Sequence, residues 1–222
     1  MNKRTATLGE YNTAEYGWTL TSFTLSPPEQ KTNYVDKTGG DGSWDLSTVL
    51  TGGIPRYKDR TLSITLECSE GDRDHREELI NYMVNLLDGL EWPVVLPDRP
   101  DHYLVGRLHI AVNQNSLAYA SVTVTGVCTP WLYRSRETVV DLTGSASVWQ
   151  SVQLFNKGRR AVIPVLTTAE GSSIQLRYND TSTTLEGGAY EWAGLLLTPG
   201  RHTLEYMGTG SLRISYREAV LR

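Results

Sequence analysis

Hydrophobic and polar residues alternate along much of the chain, and the clearest run is Arg60–Cys68. Leu62, Ile64, Leu66 and Cys68 share one phase; Thr61, Ser63, Thr65 and Glu67 share the other. A period of two predicts a half-buried strand. Leu104, Gly106, Leu108, Ile110 and Val112 make a second stripe, and Ala120, Val122, Val124 and Cys128 a third. Asn113–Ser116 between them predicts a hairpin loop. Near the start, Tyr16, Trp18 and Leu20 alternate with Gly17, Thr19 and Thr21. The phase slips at Ser22 before Phe23 and Leu25 resume it. A one-residue slip predicts a β-bulge. Pro27-Pro28 ends that strand, because proline offers no donor to a ladder.

The period changes once. Leu79, Ile80, Met83, Leu86 and Leu87 recur at spacings of three and four, which predicts a helix over Asp72–Asp88 with one apolar face. Asp72 or Asp74 is placed to cap its start, and Gly89 its end. A helix with one stripe packs that stripe on a sheet. Pro130–Glu137 reads as a junction. Beyond it, Ile174–Tyr178, Arg201–Tyr206 and Leu212–Tyr216 alternate as strands. Turn residues punctuate them at Gly171-Ser172-Ser173, Asn179-Asp180, Gly187-Gly188, Pro199-Gly200 and Gly208-Thr209-Gly210. The expected fold is therefore mainly β. Residues 1–134 form an α+β domain with one helix on a sheet, and residues 135–222 an all-β sandwich.

Composition alters this picture in a few places. The chain has 222 residues, 39% of them hydrophobic and 21% charged, enough for a core without metals or disulfides. A net charge of −4 disfavours general nucleic-acid binding, since the densest basic run is only Lys157-Gly158-Arg159-Arg160. Six Trp and twelve Tyr against two Phe suit half-buried sheets and interfaces. Cys68 and Cys128 lie on the apolar phase of strands and are expected as buried free thiols; a disulfide would require those strands to be neighbours. No apolar run approaches the roughly 20 residues of a membrane span. The start, MNKRTATLGEYNTAEYG, has no apolar segment behind its basic residues and is not expected to act as a signal peptide.

The search for chemistry returns no site. His75, His102, His109 and His202 are scattered and make no metal signature. Asp98 and Asp101 flank Arg99-Pro100 in what reads as a solvated turn. Gly39-Gly40-Asp41-Gly42 lacks the Lys-Ser/Thr of a phosphate cradle, and Asp36–Ser47 lacks the alternating ligands of a calcium loop. Gly144-Ser145-Ala146-Ser147 is no nucleophile elbow. Asn179-Asp180-Thr181 matches a glycosylation sequon, a pattern frequent by chance. No catalytic, cofactor-binding or metal-binding residue is assigned, and no cofactor is expected. One sharper alternative stands: Trp149, Trp192, Tyr190, Asn156 and Arg177 as a sugar-binding face, which would make the chain a carbohydrate-binding module for host-surface attachment.

The long polar connection within Val35–Leu66 carries a further signal. It runs from a glycine-rich loop through Trp44–Leu50 and past Gly52, Gly53 and Pro55 into the Arg60–Cys68 strand. GGDGSWDLSTVL, YKDRTLSITLECSEGD, the single helix and LPDRPDHYLVGRL follow one another in the order seen in distal tail (Dit) proteins of long-tailed, non-contractile phages. FNKGRRAVIPVL (Phe155–Leu166) and LTPGRHTLEYMGTGSLRISYREAVL (Leu197–Leu221) extend the resemblance over nearly the whole chain. The resemblance implies an N-terminal belt domain that forms a six-subunit ring. It also implies a C-terminal galectin-like sandwich that projects outward. Such a hub joins the tail tube protein to the tip protein, in some relatives holds receptor-binding proteins, and leaves a channel through which DNA passes without specific binding. It implies a structural protein of the virion tail tip, made in the bacterial host cytoplasm, with no catalysis and no membrane insertion. This chain is short for that family and shows no insertion arm in its second domain.

Overall fold

Residues 5–222 are described in the computed structural model; Met1–Arg4, the basic start of the stretch not expected to be a signal peptide, lies outside them. The chain is mainly β with one α-helix. It divides into two compact units, one running to Leu132 together with Arg222, the other Tyr133–Leu221.

The strands of the first unit are β1 (Thr7–Leu8), β2 (Tyr11–Asn12), β3 (Thr19–Leu25), β4 (Tyr34–Asp36), β5 (Ser43–Asp45), β6 (Arg60–Cys68), β7 (Glu91–Val95), β8 (His102–Asn115) and β9 (Ala120–Cys128), with α1 at Arg73–Leu87. Its main sheet runs in the order β2-β1-β7-β8-β9-β6-β3. The stripes predicted on β6 and β9 are the buried face: Leu62, Ile64, Leu66, Val122 and Val124 are fully enclosed. α1 lies against β8 and β9 through Ile80, Met83 and Leu87. Its first turn is closed by the Asp72 carboxylate, which accepts from the His75 N–H at 2.9 Å. Gly89 follows with φ +74°, and its N–H crosses to the Leu108 carbonyl instead of returning to the helix.

The bulge expected near Ser22 is present. Leu20 pairs with Leu66 and Ser22 with Thr65, so Thr21 is the extra residue. Two local expectations need correction. Tyr16 is not in the strand: Thr13–Tyr16 is a 3-10 turn, capped by the Asn12 side chain and stopped by left-handed Gly17, so β3 begins at Thr19. The β8–β9 loop is not Asn113–Ser116 either. β8 runs on to Asn115, and the turn is Ser116–Tyr119, where the Ser116 N–H donates to the Tyr119 carbonyl.

The cysteines are both buried and free. Their strands are neighbours, but the register pairs Arg60 with Cys128 and Cys68 with Ala120. The two residues thus sit at opposite ends of the β6–β9 pair, roughly 26 Å apart at about 3.3 Å per residue, where no bridge can form. Gly106 faces Cys128, and any larger side chain there would overlap the sulfur. Burial pushes the Cys128 thiol up to about 12, with nearby Arg60 opposing the shift. Native protein is therefore expected to release no thiol to a disulfide-exchange reagent near pH 8 and two after unfolding. A rapidly reacting native thiol would contradict this placement.

The second unit holds β11 (Thr138–Thr143), β12 (Gln150–Asn156), β13 (Val165–Tyr178), β14 (Thr181–Glu191), β15 (Gly200–Thr209) and β16 (Ser211–Tyr216), while β10 (Leu132–Arg134) pairs with β17 (Ala219–Val220). Its sheet order is β11-β16-β13-β15-β12, with β14 alongside β13. Leu154, Leu166, Ile174, Leu176, Leu204 and Ile214 form the centre of its core. Asn179-Asp180 is a two-residue hairpin turn, as expected, with Asn179 at φ +50°. Gly171-Ser172-Ser173 and Gly187-Gly188 are not turns. They lie within β13 and β14, opposite one another across an irregularity between Thr168 and Ser173. There β13 changes partner: Val165–Thr168 pair with β16, and Ser173–Arg177 pair with β15. The positive φ of Gly171 and Gly187 lets both strands bend without ending.

Candidate functional site

The segment between β3 and β6 holds a long continuous run of exposed residues. Residues 31–46 are all exposed. Within them β4 and β5 form a separate two-stranded ribbon in which Tyr34 faces Asp45, Val35 faces Trp44 and Asp36 faces Ser43. The glycines at its tip supply the turn: Gly39 and Gly42 both have φ +77°, and the Lys37 N–H donates to the Gly42 carbonyl. The ribbon is held by short-range polar bonds. The Ser43 hydroxyl donates to Asp36, and the Ser47 N–H to Asp45, each at 2.9 Å. The Ser47 hydroxyl, and after it that N–H, hold the Asp45 carboxyl below its usual range. At the base, Gln30 bridges to Tyr57, the Lys58 N–H donates to the Glu29 carbonyl, and their side chains pair.

This arm has no core. An isolated two-stranded ribbon is marginally stable in water. Yet the arm displays Tyr34, Val35, Trp44, Val49, Leu50 and Ile54, with Trp44 62% and Leu50 97% exposed. Lys37 lies 5.0 Å over the Trp44 ring. Ordering such a segment costs backbone entropy that these local bonds alone offset poorly, and a dense apolar display of this kind is the mark of a contact surface.

No protein-family model matches the chain, and no curated protein matches it. Among solved structures it is similar to the SPP1 Dit (gp 19.1) protein, described as a paradigm of the hub adsorption apparatus in phages that infect Gram-positive bacteria. The two share 14% identity, the match covers 96% of this chain and 98% of that one, and the TM-score is 0.68. The chain has a Dit fold.

On this Dit fold the residues weighed for chemistry do not converge. His109 pairs with Asp88 and His102 with Asp101, each at 2.8 Å, while His202 bonds the Tyr178 hydroxyl and the Thr198 carbonyl. Among the described residues no group of three or more His, Cys, Asp or Glu is placed to hold a metal. Asp98 lines a small cavity of about 220 Å³ with Arg60, Arg99 and His102. Asp101 is not part of that lining and is engaged by His102. No helix among the described residues is long and apolar enough to cross a membrane.

The five residues named for a sugar face are also separated. Asn156 is buried and spends its amide on the Arg160 and Leu197 carbonyls. Trp192 packs on the core of the second unit. Tyr190 sits opposite Leu166, whereas Arg177 lies far along β13, opposite Glu205. Only Trp149 and Arg177 meet, with the guanidinium 4.4 Å over the ring. Sequence reasoning missed Arg76, a fully buried arginine in α1 that bonds the β8–β9 tip. Its spacing was the available signal, since Arg76 lies four residues before Ile80 and in phase with Met83 and Leu87; its charge hid that.

Proposed function

We propose that this chain is a hub subunit of a phage tail tip, assembled into a closed ring of six copies. The ring joins the tail tube protein to the tip proteins and leaves a central channel for DNA. In this reading the first unit is the ring-forming part, and the exposed arm of residues 31–56 is the contact that makes the ring. The second unit is a galectin-type sandwich that receives other tail-tip proteins, receptor-binding proteins among them. The role is geometric, with no catalysis and no cofactor, in the tail tip of the virion.

One observation carries the proposal: a Dit fold bears a long, locally ordered arm whose apolar side chains stay largely exposed among the described residues. A repeated contact between unlike surfaces closes into a ring when its rotation allows. The net charge of −4 is no obstacle, because an acidic lumen lets DNA slide where a basic one would hold it. Light scattering after size exclusion is expected to give about six times the 24.8 kDa subunit mass, and negative-stain images of that peak a ring with a hole. A strictly single-subunit species at high concentration would count heavily against the ring.

A further inference from the structure

We infer that the open edge of β12 and the corner formed by Phe155–Arg160 are a docking site for an extended acidic segment of a partner protein. β12 pairs on one side only, with β15. The Phe155 carbonyl accepts from the Tyr216 hydroxyl at 3.0 Å, and the Lys157 N–H donates to the buried Glu218 carboxylate at 3.1 Å. Both positions therefore turn backbone groups away from β15. The two-residue period of a strand gives Ser151 and Gln153 the same direction. At Phe155 and Lys157 these outward groups are engaged by Tyr216 and Glu218, whereas the N–H and C=O groups of Ser151 and Gln153 are a template for one more strand, which runs on to the Phe155–Arg160 corner. Edges of this kind are usually blunted by Lys or Pro, and Gln150–Asn156 contains neither.

The corner supplies the charge preference. Phe155 is 43% exposed, and the Lys157 ammonium and Arg201 guanidinium each lie 5.8 Å from its ring. Among the described residues neither cation is ion-paired. Arg159 and Arg160 follow in the same loop, so cations gather here in a chain of net charge −4. The loop is held in place: buried Asn156 donates to the Arg160 and Leu197 carbonyls at 2.8 and 2.9 Å and accepts from the Gly158 N–H at 2.9 Å. A fixed loop loses little freedom on binding. Charge complementarity selects an acidic ligand. The unpaired edge selects an extended polypeptide over other polyanions, which bring no backbone ladder.

The test is fluorescence anisotropy on the full chain with a labelled twelve-residue peptide alternating Glu with Val or Thr. Binding is expected at low salt, absent for the same peptide with Lys in place of Glu, and at least tenfold weaker when alternate backbone N–H groups are methylated. The double variant Lys157→Glu/Arg201→Glu should lose at least tenfold, with an unchanged melting temperature because both side chains are exposed. Ser151→Pro removes an outward N–H while leaving the Gln153–Thr203 side-chain bond between β12 and β15 in place, and should weaken binding similarly. Undiminished binding by the methylated peptide, or competition by polyphosphate at equal affinity, would replace the strand site by a simple anion patch and overturn the inference. No binding, or binding indifferent to all three substitutions, would overturn it as well. Light scattering of the same samples reports ring formation separately, so failure here and failure of the hub reading are distinguishable.

Discussion

Trp44→Asp combined with Leu50→Asp is expected to turn the proposed ring into single subunits while leaving the melting temperature of the subunit nearly unchanged. Neither side chain is buried within the chain: Trp44 is 62% and Leu50 97% exposed. Exposed substitutions away from packed features change stability by about 0.5 kcal/mol or less. At an interface the balance reverses. Burying a large apolar side chain contributes about 1.5–3 kcal/mol, so losing two removes about 3–6 kcal/mol from each subunit contact. A tenfold change in affinity corresponds to about 1.4 kcal/mol, and the expected loss is therefore at least a hundredfold per contact. The added carboxylates raise the cost further, because an unpaired buried charge is strongly disfavoured. Thermal scans and light scattering of wild type and variant give the two readouts. A variant that still forms rings would remove the arm from the interface; one that also melts much earlier would show that the arm supports the subunit itself.

The parts of the fold that were legible in the sequence are those where one face is buried in the same chain. β6 and β9 carry a strict period of two because one face of each is enclosed, with Leu62, Ile64, Leu66, Val122 and Val124 fully buried. The bulge at Thr21 was visible for the same reason, since a phase slip shows only against a buried stripe. β4 and β5 were not legible as strands, because both faces are exposed and Ser43–Asp45 carries no alternation. Glycine misled in the second unit. Gly171 and Gly187 have the conformations of turn residues, but the chain uses them to bend two paired strands. Asn113, Gln114 and Asn115 resemble a polar loop, yet they extend β8 because Asn113 bonds the Thr123 hydroxyl and Asn115 bonds Glu77. As for the candidate site, the arm was recognisable as a long polar connection. Its apolar display is a property of the folded arm, where Tyr34, Trp44 and Leu50 stay exposed among the described residues. The basic corner was legible as charges but not as a site, because Phe155 and Arg201 are brought together by pairing across the sheet.

Arg76→Ala is expected to destabilise the first unit by about 1.5–3 kcal/mol, because it removes the charged donor of three backbone carbonyls and also relieves the buried, unpartnered Nε. Arg76 is 1% exposed. Its guanidinium faces no carboxylate in the bonds it makes; it donates instead to three backbone carbonyls, Gly71 at 2.7 Å, Ser116 at 2.8 Å and Leu117 at 3.0 Å. These carbonyls belong to the loop before α1 and to the β8–β9 turn. One side chain thus ties the helix start to a hairpin tip about forty residues away in sequence. Removing it leaves three acceptors without their donor, and each bond to a charged group contributes about 1.5–3 kcal/mol before the site relaxes. Arg76→Met separates the causes: it keeps most of the volume, so a comparable loss would assign the effect to the hydrogen bonds, whereas a small loss would assign it to packing. Arg76→Lys should fall between, because an ammonium cannot span the three carbonyls as a planar fork does. Glu78→Ala is the control, since that side chain is exposed on the same helix and takes no part in the Arg76 clamp or the Asn115–Glu77 bond. Amide exchange across β8 and β9 gives the free energies. It also tests a local consequence, faster exchange at Ser116–Tyr119, where the clamp fixes a turn that holds Leu117 90% exposed to water. An Arg76→Ala loss below about 1 kcal/mol would mean that water satisfies these carbonyls as well as the guanidinium does.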